Sequence, residues 1–381
     1  MNRRLLFITH HKLDDNNGGA NASKGFLLCF ARLFDDCTLI CHTMDTTSPS
    51  FIPPNVRYLP MQDSRTKLRK LFDMYRGAIS GHYYFVRQHL RHNRYDVVVV
   101  DHTFTGAGLS AFIKSTGASL ITIHHNVERD YLRDNSREKP LLYRYPFLYY
   151  CRKAERDCLR HSDINLTVTR HDARTFRSWA PDACICHWGI FEYRPIAEKT
   201  FPASTRGQTF IITGSLNFEQ SLRPVMAFLR RYWPLVLQAM PGARLLIAGR
   251  NPSALLQAAC EATHGVSLIA NPADMQAVVS TADYYVCPIH AGSGLKLRIF
   301  DGLKAGLPVL CHQVAAAGYE ALAAKGCLFS YTDEHSFSLA LHQLTLADIA
   351  PQTVYQTFRD TFSMAAGLSR LSAILQQAHL L

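Results

Sequence analysis

Short apolar, β-branched runs alternate with stretches of helical periodicity along most of the chain. One series falls at 5–8, 38–41, 97–100, 120–123 and 164–168, and a second at 210–212, 244–248, 266–269, 284–286 and 309–310. Runs of this kind, separated by helices, predict parallel α/β layering twice over. Between the two series, Phe191-Glu192-Tyr193-Arg194-Pro195 and the stretch 201–207 are rich in breakers and polar groups and predict an interdomain linker. Phe358, Phe362, Leu368, Leu371, Ile374 and Leu375 recur at helical spacing and predict one amphipathic helix over 354–381. The expected organisation is a first domain over 1–195, a second over 205–350, and a terminal helix over 354–381 packing back towards the first. Doubly wound sheets bind ligands beyond the carboxyl ends of their strands, so chemistry is expected in a cleft between the domains.

Composition narrows the class. With 381 residues, 48% hydrophobic and 19% charged, the chain lies in the globular range. The longest apolar runs, such as Val97 to Val100, are far shorter than the ~20 residues of a spanning helix, and no secretion signal is evident, so a cytoplasmic location is expected. Forty-one Lys and Arg against 30 Asp and Glu give a formal charge of +11, which favours phosphates, nucleic acid or an anionic membrane as partners. The 11 cysteines form no Cys-x-x-Cys pair or zinc spacing. They read as reduced and mostly buried, with Cys184 and Cys186 at alternate positions of a strand.

Two segments carry candidate chemistry. After the first strand, Asp14-Asp15-Asn16-Asn17-Gly18-Gly19 leads into a helix, where Gly18 and Gly19 either let backbone N–H groups approach an anion or form a tight turn. In the second half, Ala291-Gly292-Ser293-Gly294-Leu295-Lys296-Leu297-Arg298 opens a helix expected to stop at Gly306. Gly292, Ser293 and Gly294 with Lys296 and Arg298 suit a diphosphate. Asp301, about two turns into that helix, suits two adjacent hydroxyls such as those of a ribose. The competing reading is a solvated basic face with a surface carboxylate.

These residues resemble a known family. Thr213-Gly214-Ser215-Leu216-Asn217-Phe218, Tyr232-Trp233-Pro234, Pro241 to Pro252, Ala282-Asp283-Tyr284, Pro288 and the Gly-Ser-Gly-Leu-Lys-Leu block follow the order seen in bacterial family 4 glycosyltransferases. His125-Asn126-Val127-Glu128 and Leu166 to Asp172 resemble that family's first-half segments, and the likeness is strongest over 210–312. It implies an α/β fold of the GT-B type, with two Rossmann-like doubly wound domains facing a central cleft. It also implies transfer of a sugar, with retention, from a nucleotide-sugar donor to a bacterial surface glycan or lipid-linked acceptor. Gly214, Ser215, Lys296 and Arg298 would meet the diphosphate, Asp301 the ribose, and His125 the transferred sugar, with Glu128 as either its orienting partner or a helix-start acid. Gly18 and Gly19 would border the acceptor.

The sequence departs from the family pattern in two places. The first carboxylate of the Glu-seven-residues-Glu pattern is Ser293, and Asp301 replaces the second. The usual Arg and Lys after the first strand of the second domain are missing from 215–220, which shifts charge neutralisation to Lys296, Arg298 and Arg250, the last of these equally readable as a rim residue. No Asp-x-Asp occurs, so neither a metal nor another cofactor is expected. Rival readings are a sugar-nucleotide epimerase or hydrolase of the same architecture, and a non-catalytic nucleotide-sugar-binding partner protein.

A last feature concerns surface rather than site. Residues 65–94 hold eight Lys or Arg against Asp73, interleaved with Phe72, Tyr75, Tyr83, Tyr84 and Phe85, and 143–153 has the same flavour. Such segments either lie on an anionic membrane, here its inner face, or form amphipathic helices whose aromatics pack inward. No nucleic-acid-binding module accompanies the charge, so nucleic acid is not expected as a partner.

Overall fold

In the computed structural model every residue is described except 1–2, 16, 46–49, 104, 130–131, 133–139, 202–206, 218 and 293, and the side chains of 143 and 220. The chain divides into two compact units, residues 1–195 with 362–381, and residues 196–361.

The first unit is built on a seven-stranded parallel sheet. Its strands are β1 (Arg4–Thr9), β2 (Asp36–His42), β3 (Val56–Met61), β4 (Val97–Asp101), β5 (Ser119–His124), β6 (Ile164–Thr167) and β7 (Ile185–His187), in the order β3-β2-β1-β4-β5-β6-β7. Helices cover its faces: α1 (Gly18–Leu33), α2 (Lys67–Tyr75), α3 (His82–His92), α4 (Leu109–Ser115), α5 (Leu141–His161) and α6 (Arg170–Trp179). Central strands buried on both faces need apolar side chains at every position, and Val97 to Val100 meet that demand. Strand β1 pairs with β2 on one side and β4 on the other, Ile8 standing beside Ile40 and Val100.

The second unit repeats the plan with β8 (Thr209–Ser215), β9 (Arg244–Arg250), β10 (Val266–Ala270), β11 (Tyr284–Cys287), β12 (Val309–His312) and β13 (Leu328–Tyr331), ordered β10-β9-β8-β11-β12-β13. Its helices are α7 (Glu219–Arg231), α8 (Trp233–Ala239), α9 (Ala254–Glu261), α10 (Met275–Val279), α11 (Ile299–Lys304), α12 (Gln313–Ala316), α13 (Glu320–Ala324), α14 (Glu334–Leu346) and α15 (Pro351–Phe362). Strand order reverses beside β8, where the chain leaves it towards β9 on one side and enters β11 on the other. That is the switch point at which such sheets open a crevice.

Two expectations need correction. The terminal segment is two helices, α15 in the second unit and α16 (Met364–Gln377) in the first. Ser363 interrupts them by pairing as a β-bridge with Glu192 while its hydroxyl caps α16 by accepting from Ala366 N. Phe191, read as linker, is instead core: it lies 5.0 Å from Trp188 and 5.7 Å from Phe26, ring to ring. Gly367 admits it, since a Cβ there would sit 2.5 Å from the Phe191 ring, and Trp188 Nε1 donates to Gly367 O at 2.8 Å. This cluster docks α16 against α1. All 11 cysteines are free and nine are buried; Cys184 and Cys186 flank Ile185 with their sulfurs 4.0 Å apart.

Candidate active site

In the second unit, four of the expected residues converge at the carboxyl end of β8. Arg298, just before α11, reaches across β8: Nη1 donates to Thr213 O at 3.3 Å and Nη2 to Ser221 Oγ at 2.9 Å, at the start of α7. Gly214 is what permits this, because a Cβ there would lie 2.6 Å from Arg298 Nη1. Asp301 joins the same cluster. Thr213 Oγ1 donates to Asp301 Oδ2 at 3.0 Å and accepts from Tyr285 Oη at 2.6 Å. Burial holds the Tyr285 phenol protonated, well above its ordinary range, which fixes the direction of this relay. Neither Thr213 nor Tyr285 was anticipated; a Thr before Gly-Ser at a strand end was the available signal.

The Gly292–Gly294 segment wraps its own cation. Gly292 and Gly294 take φ of +89° and +73°, a region L-residues avoid. Their carbonyls accept from Lys296 Nζ at 3.3 and 3.2 Å, and Tyr319 Oη donates to Lys296 O at 2.9 Å. Ser293 lies outside the described residues. The helix that follows is shorter than expected: α11 spans Ile299–Lys304, so Asp301 stands in its first turn rather than two turns in. So short a helix adds little dipole. Gly302 lets α11 press on β11, a Cβ there meeting Tyr285 Cγ at 2.4 Å.

Ser215 and Arg250 end neighbouring strands in register, both exposed. Arg223 pairs with Glu219 at 2.5 Å and stays on the solvent side of α7.

In the first unit the expected histidine belongs to a larger buried group at the ends of β1, β4 and β5. His125 Nε2 lies 2.6 Å from Asp101 Oδ1, and Ser23 Oγ donates to Asp101 Oδ2 at 2.5 Å. The orienting carboxylate is therefore Asp101, not Glu128, whose Oε1 stands 2.9 Å from His102 Nε2 instead. His11 and His102 rings sit 5.5 and 5.2 Å from His125, and the His10 ring lies 4.1 Å from His11, tilted by 39°. His102 has φ +82°, a left-handed turn directly after β4. His124, facing oppositely, bonds Asn165 Oδ1 at 2.9 Å.

Electrostatics sort this cluster. Burial strips charge from His10 and His102 and lowers His11 to about 3 and His124 to about 4. Burial also opposes charge on His125, yet the Asp101 carboxylate outweighs it and raises that imidazole. Asp101 in turn is lowered to about 2, attraction to His125 overcoming its own desolvation. One ion pair thus sits among neutral rings. Burial pushes Glu128 and Glu155 up to about 8.

Gly18 and Gly19 form the first turn of α1, not a free loop; Asn17 caps it, accepting from Ala20 N at 2.9 Å. Gly19 is required because its missing Cβ leaves room for the His11 ring, which would be 2.4 Å away. Among the described residues no group of three or more His, Cys, Asp or Glu is arranged to hold a metal ion.

Two doubly wound parallel sheets, each with side chains gathered at its strand ends, define an α/β protein of the GT-B fold. Solved structures agree: WaaG, a glycosyltransferase involved in lipopolysaccharide biosynthesis, aligns over 97% of this chain and 99% of its own at TM-score 0.64 and 15% identity. Sucrose-phosphate synthase from Thermosynechococcus elongatus aligns over 99% of both chains at TM-score 0.69 and 10% identity. HepE from Anabaena, solved in complex with UDP, aligns over 98% of this chain and 100% of its own at TM-score 0.64 and 12% identity. At such identities the likeness establishes the fold. Residues 207–346 match the family model described as Glycosyl transferases group 1. No curated protein matches the sequence.

Proposed function

We propose that the protein moves a sugar, with retention and without a bound metal, from a nucleoside-diphosphate donor to a bacterial surface glycan or glycolipid. The observation that carries this reading is the Arg298 guanidinium, held across Gly214 between Thr213 O and Ser221 Oγ at the sheet's switch point. Breaking the sugar–phosphate bond sends its electron pair to the departing diphosphate, so fixed cations and N–H groups at that spot lower the barrier. Arg298, Lys296 and Arg250 supply the positive charge, and Asp301, already oriented by Thr213, accepts from the ribose hydroxyls. Gly214 and Ser215 bring backbone close to the phosphates, as do Gly292 and Gly294. A protonated His125, held by Asp101, donates to the transferred sugar, while Gly18 and Gly19 at the start of α1 border the acceptor. The UDP bound by HepE supports a nucleoside diphosphate as the leaving group. Lipid-linked acceptors further suggest work in the cytoplasm at the inner membrane face.

The test is incubation with a panel of nucleotide sugars and glycolipid acceptors, reading nucleoside-diphosphate release and product mass. Release that depends on acceptor, with a glycosylated product, is expected. Free sugar or an epimer without product would instead indicate a hydrolase or epimerase, and binding without release a non-catalytic protein.

A further inference from the structure

Phe72 and Tyr75 of α2 and Tyr145 and Tyr149 of α5 do not turn inward. Thirteen large hydrophobic residues are exposed among those described, and eight lie on these two helices: Leu68, Leu71, Phe72 and Tyr75 on α2, and Leu141, Leu142, Tyr145 and Tyr149 on α5. By contrast Tyr83 and Phe85 of α3 do pack on the core. The outward residues recur at i, i+3, i+4 and i+7 or i+8, so each helix presents one stripe. Leu68 is 81% and Leu142 86% exposed, values that protein packing in this unit does nothing to reduce.

The stripes adjoin. Helix α2 packs on α5, Tyr75 Oη donates to Leu142 O at 3.4 Å, and Tyr150 Oη donates to Tyr75 O. Along α5 the same face then changes character at the next turns, to Arg152, Lys153, Arg156 and Arg160. These four line a cavity of about 1110 Å³ with Trp179. Of its carboxylates, Asp163 pairs with Lys114, Asp157 with His161 and the Gly108 and Ser110 amides, and Glu155 with the Glu128 amide, while Asp182 is exposed. Lys67 of α2 and Arg76 just after it add charge, Arg76 lying 4.3 Å over the Phe72 ring.

We infer that this face docks on an anionic lipid bilayer, with Leu68, Phe72, Leu142 and Tyr145 entering the headgroup boundary and the flanking cations meeting lipid phosphates. Interfacial helices combine such an apolar stripe with Lys and Arg at its margin, and tyrosines favour the same depth. A second copy of the chain is the poorer occupant, because a two-fold contact through this patch would bring its cationic flanks together. The inference rests on these two helices and is independent of the donor site.

Cosedimentation of the full chain with phosphatidylcholine vesicles, with and without phosphatidylglycerol, tests it. Binding to the anionic vesicles is expected, roughly tenfold or more above the neutral ones and weakened by salt. Phe72→Ser with Leu142→Ser should reduce it by at least about tenfold through lost apolar burial. Arg152→Glu with Lys153→Glu, a second pair on exposed positions, should do the same with the circular dichroism spectrum unchanged. No vesicle binding, equal binding to neutral vesicles, or binding that both folded pairs leave intact would overturn it. So would a dimer in sedimentation velocity that these substitutions dissociate.

Discussion

Asp101 Oδ1 and His125 Nε2 lie 2.6 Å apart at the ends of adjacent strands, and the three other histidines in contact with the pair or its neighbours are neutral. Replacing Asp101 by Asn keeps shape and removes the countercharge. His125 should then titrate at lower pH than in the wild type by NMR, because burial is left unopposed. An unchanged titration would show that Asp101 does not set its charge. The linkage is signed: Asp101, depressed, stabilises above its unfolded value of about 4 and loses this as pH falls through about 2. His125, raised, stabilises below its unfolded value of about 6.5 and loses this as pH rises through the folded one.

Glu128 provides the opposite pH signature. Its folded value of about 8 exceeds the unfolded one, so the folded chain holds a proton that the unfolded chain releases, and stability falls as pH rises towards 8. Glu128→Gln removes this. The variant's unfolding free energy relative to the wild type should climb between about pH 5 and 8 and level off above. A difference that stays flat with pH would contradict a buried, protonated Glu128.

Gly367→Ala tests how the last helix is held. Its Cβ would fall 2.5 Å from the Phe191 ring, forcing α16 or Phe191 to shift, and overpacking of this kind costs roughly 1–3 kcal/mol. Thermal unfolding should report that loss; a variant as stable as the wild type would mean that α16 is not seated on Phe191.

Gly214→Ala should displace the Arg298 guanidinium, since the added methyl lands 2.6 Å from Nη1. Nucleoside-diphosphate affinity should drop roughly tenfold, the scale of one charge-assisted contact. Unaltered affinity would detach Arg298 from the phosphate.

Much of the architecture was legible because doubly buried parallel strands must be continuous apolar runs, and those runs at 5–8 and 97–100 stand out unaided. Edge strands are not so constrained. Strand β3 contains Pro60 and is buried only at Val56 and Met61, and β7 and β13 are only three and four residues long, so none carries a comparable run. In the candidate site, Gly292, Gly294, Lys296 and Arg298 are close in sequence and could be read together. Asp101 could not, because it meets His125 from a different strand 24 residues away, and only its position ending four valines marked it. Phe191 looked like linker for a similar reason: its partners Phe26 and Gly367 come from far-separated segments.

On the proposed reading, Lys296, Arg298 and Asp301 together hold a nucleoside diphosphate in the second unit. Titration calorimetry of UDP and inorganic pyrophosphate against wild type, Lys296→Ala and Asp301→Asn tests it most directly. Binding of both ligands to Lys296→Ala should be more than about tenfold weaker. Asp301→Asn should bind UDP more weakly with pyrophosphate unchanged. Wild-type affinity for UDP in Lys296→Ala, or equal loss of both ligands in Asp301→Asn, would contradict it.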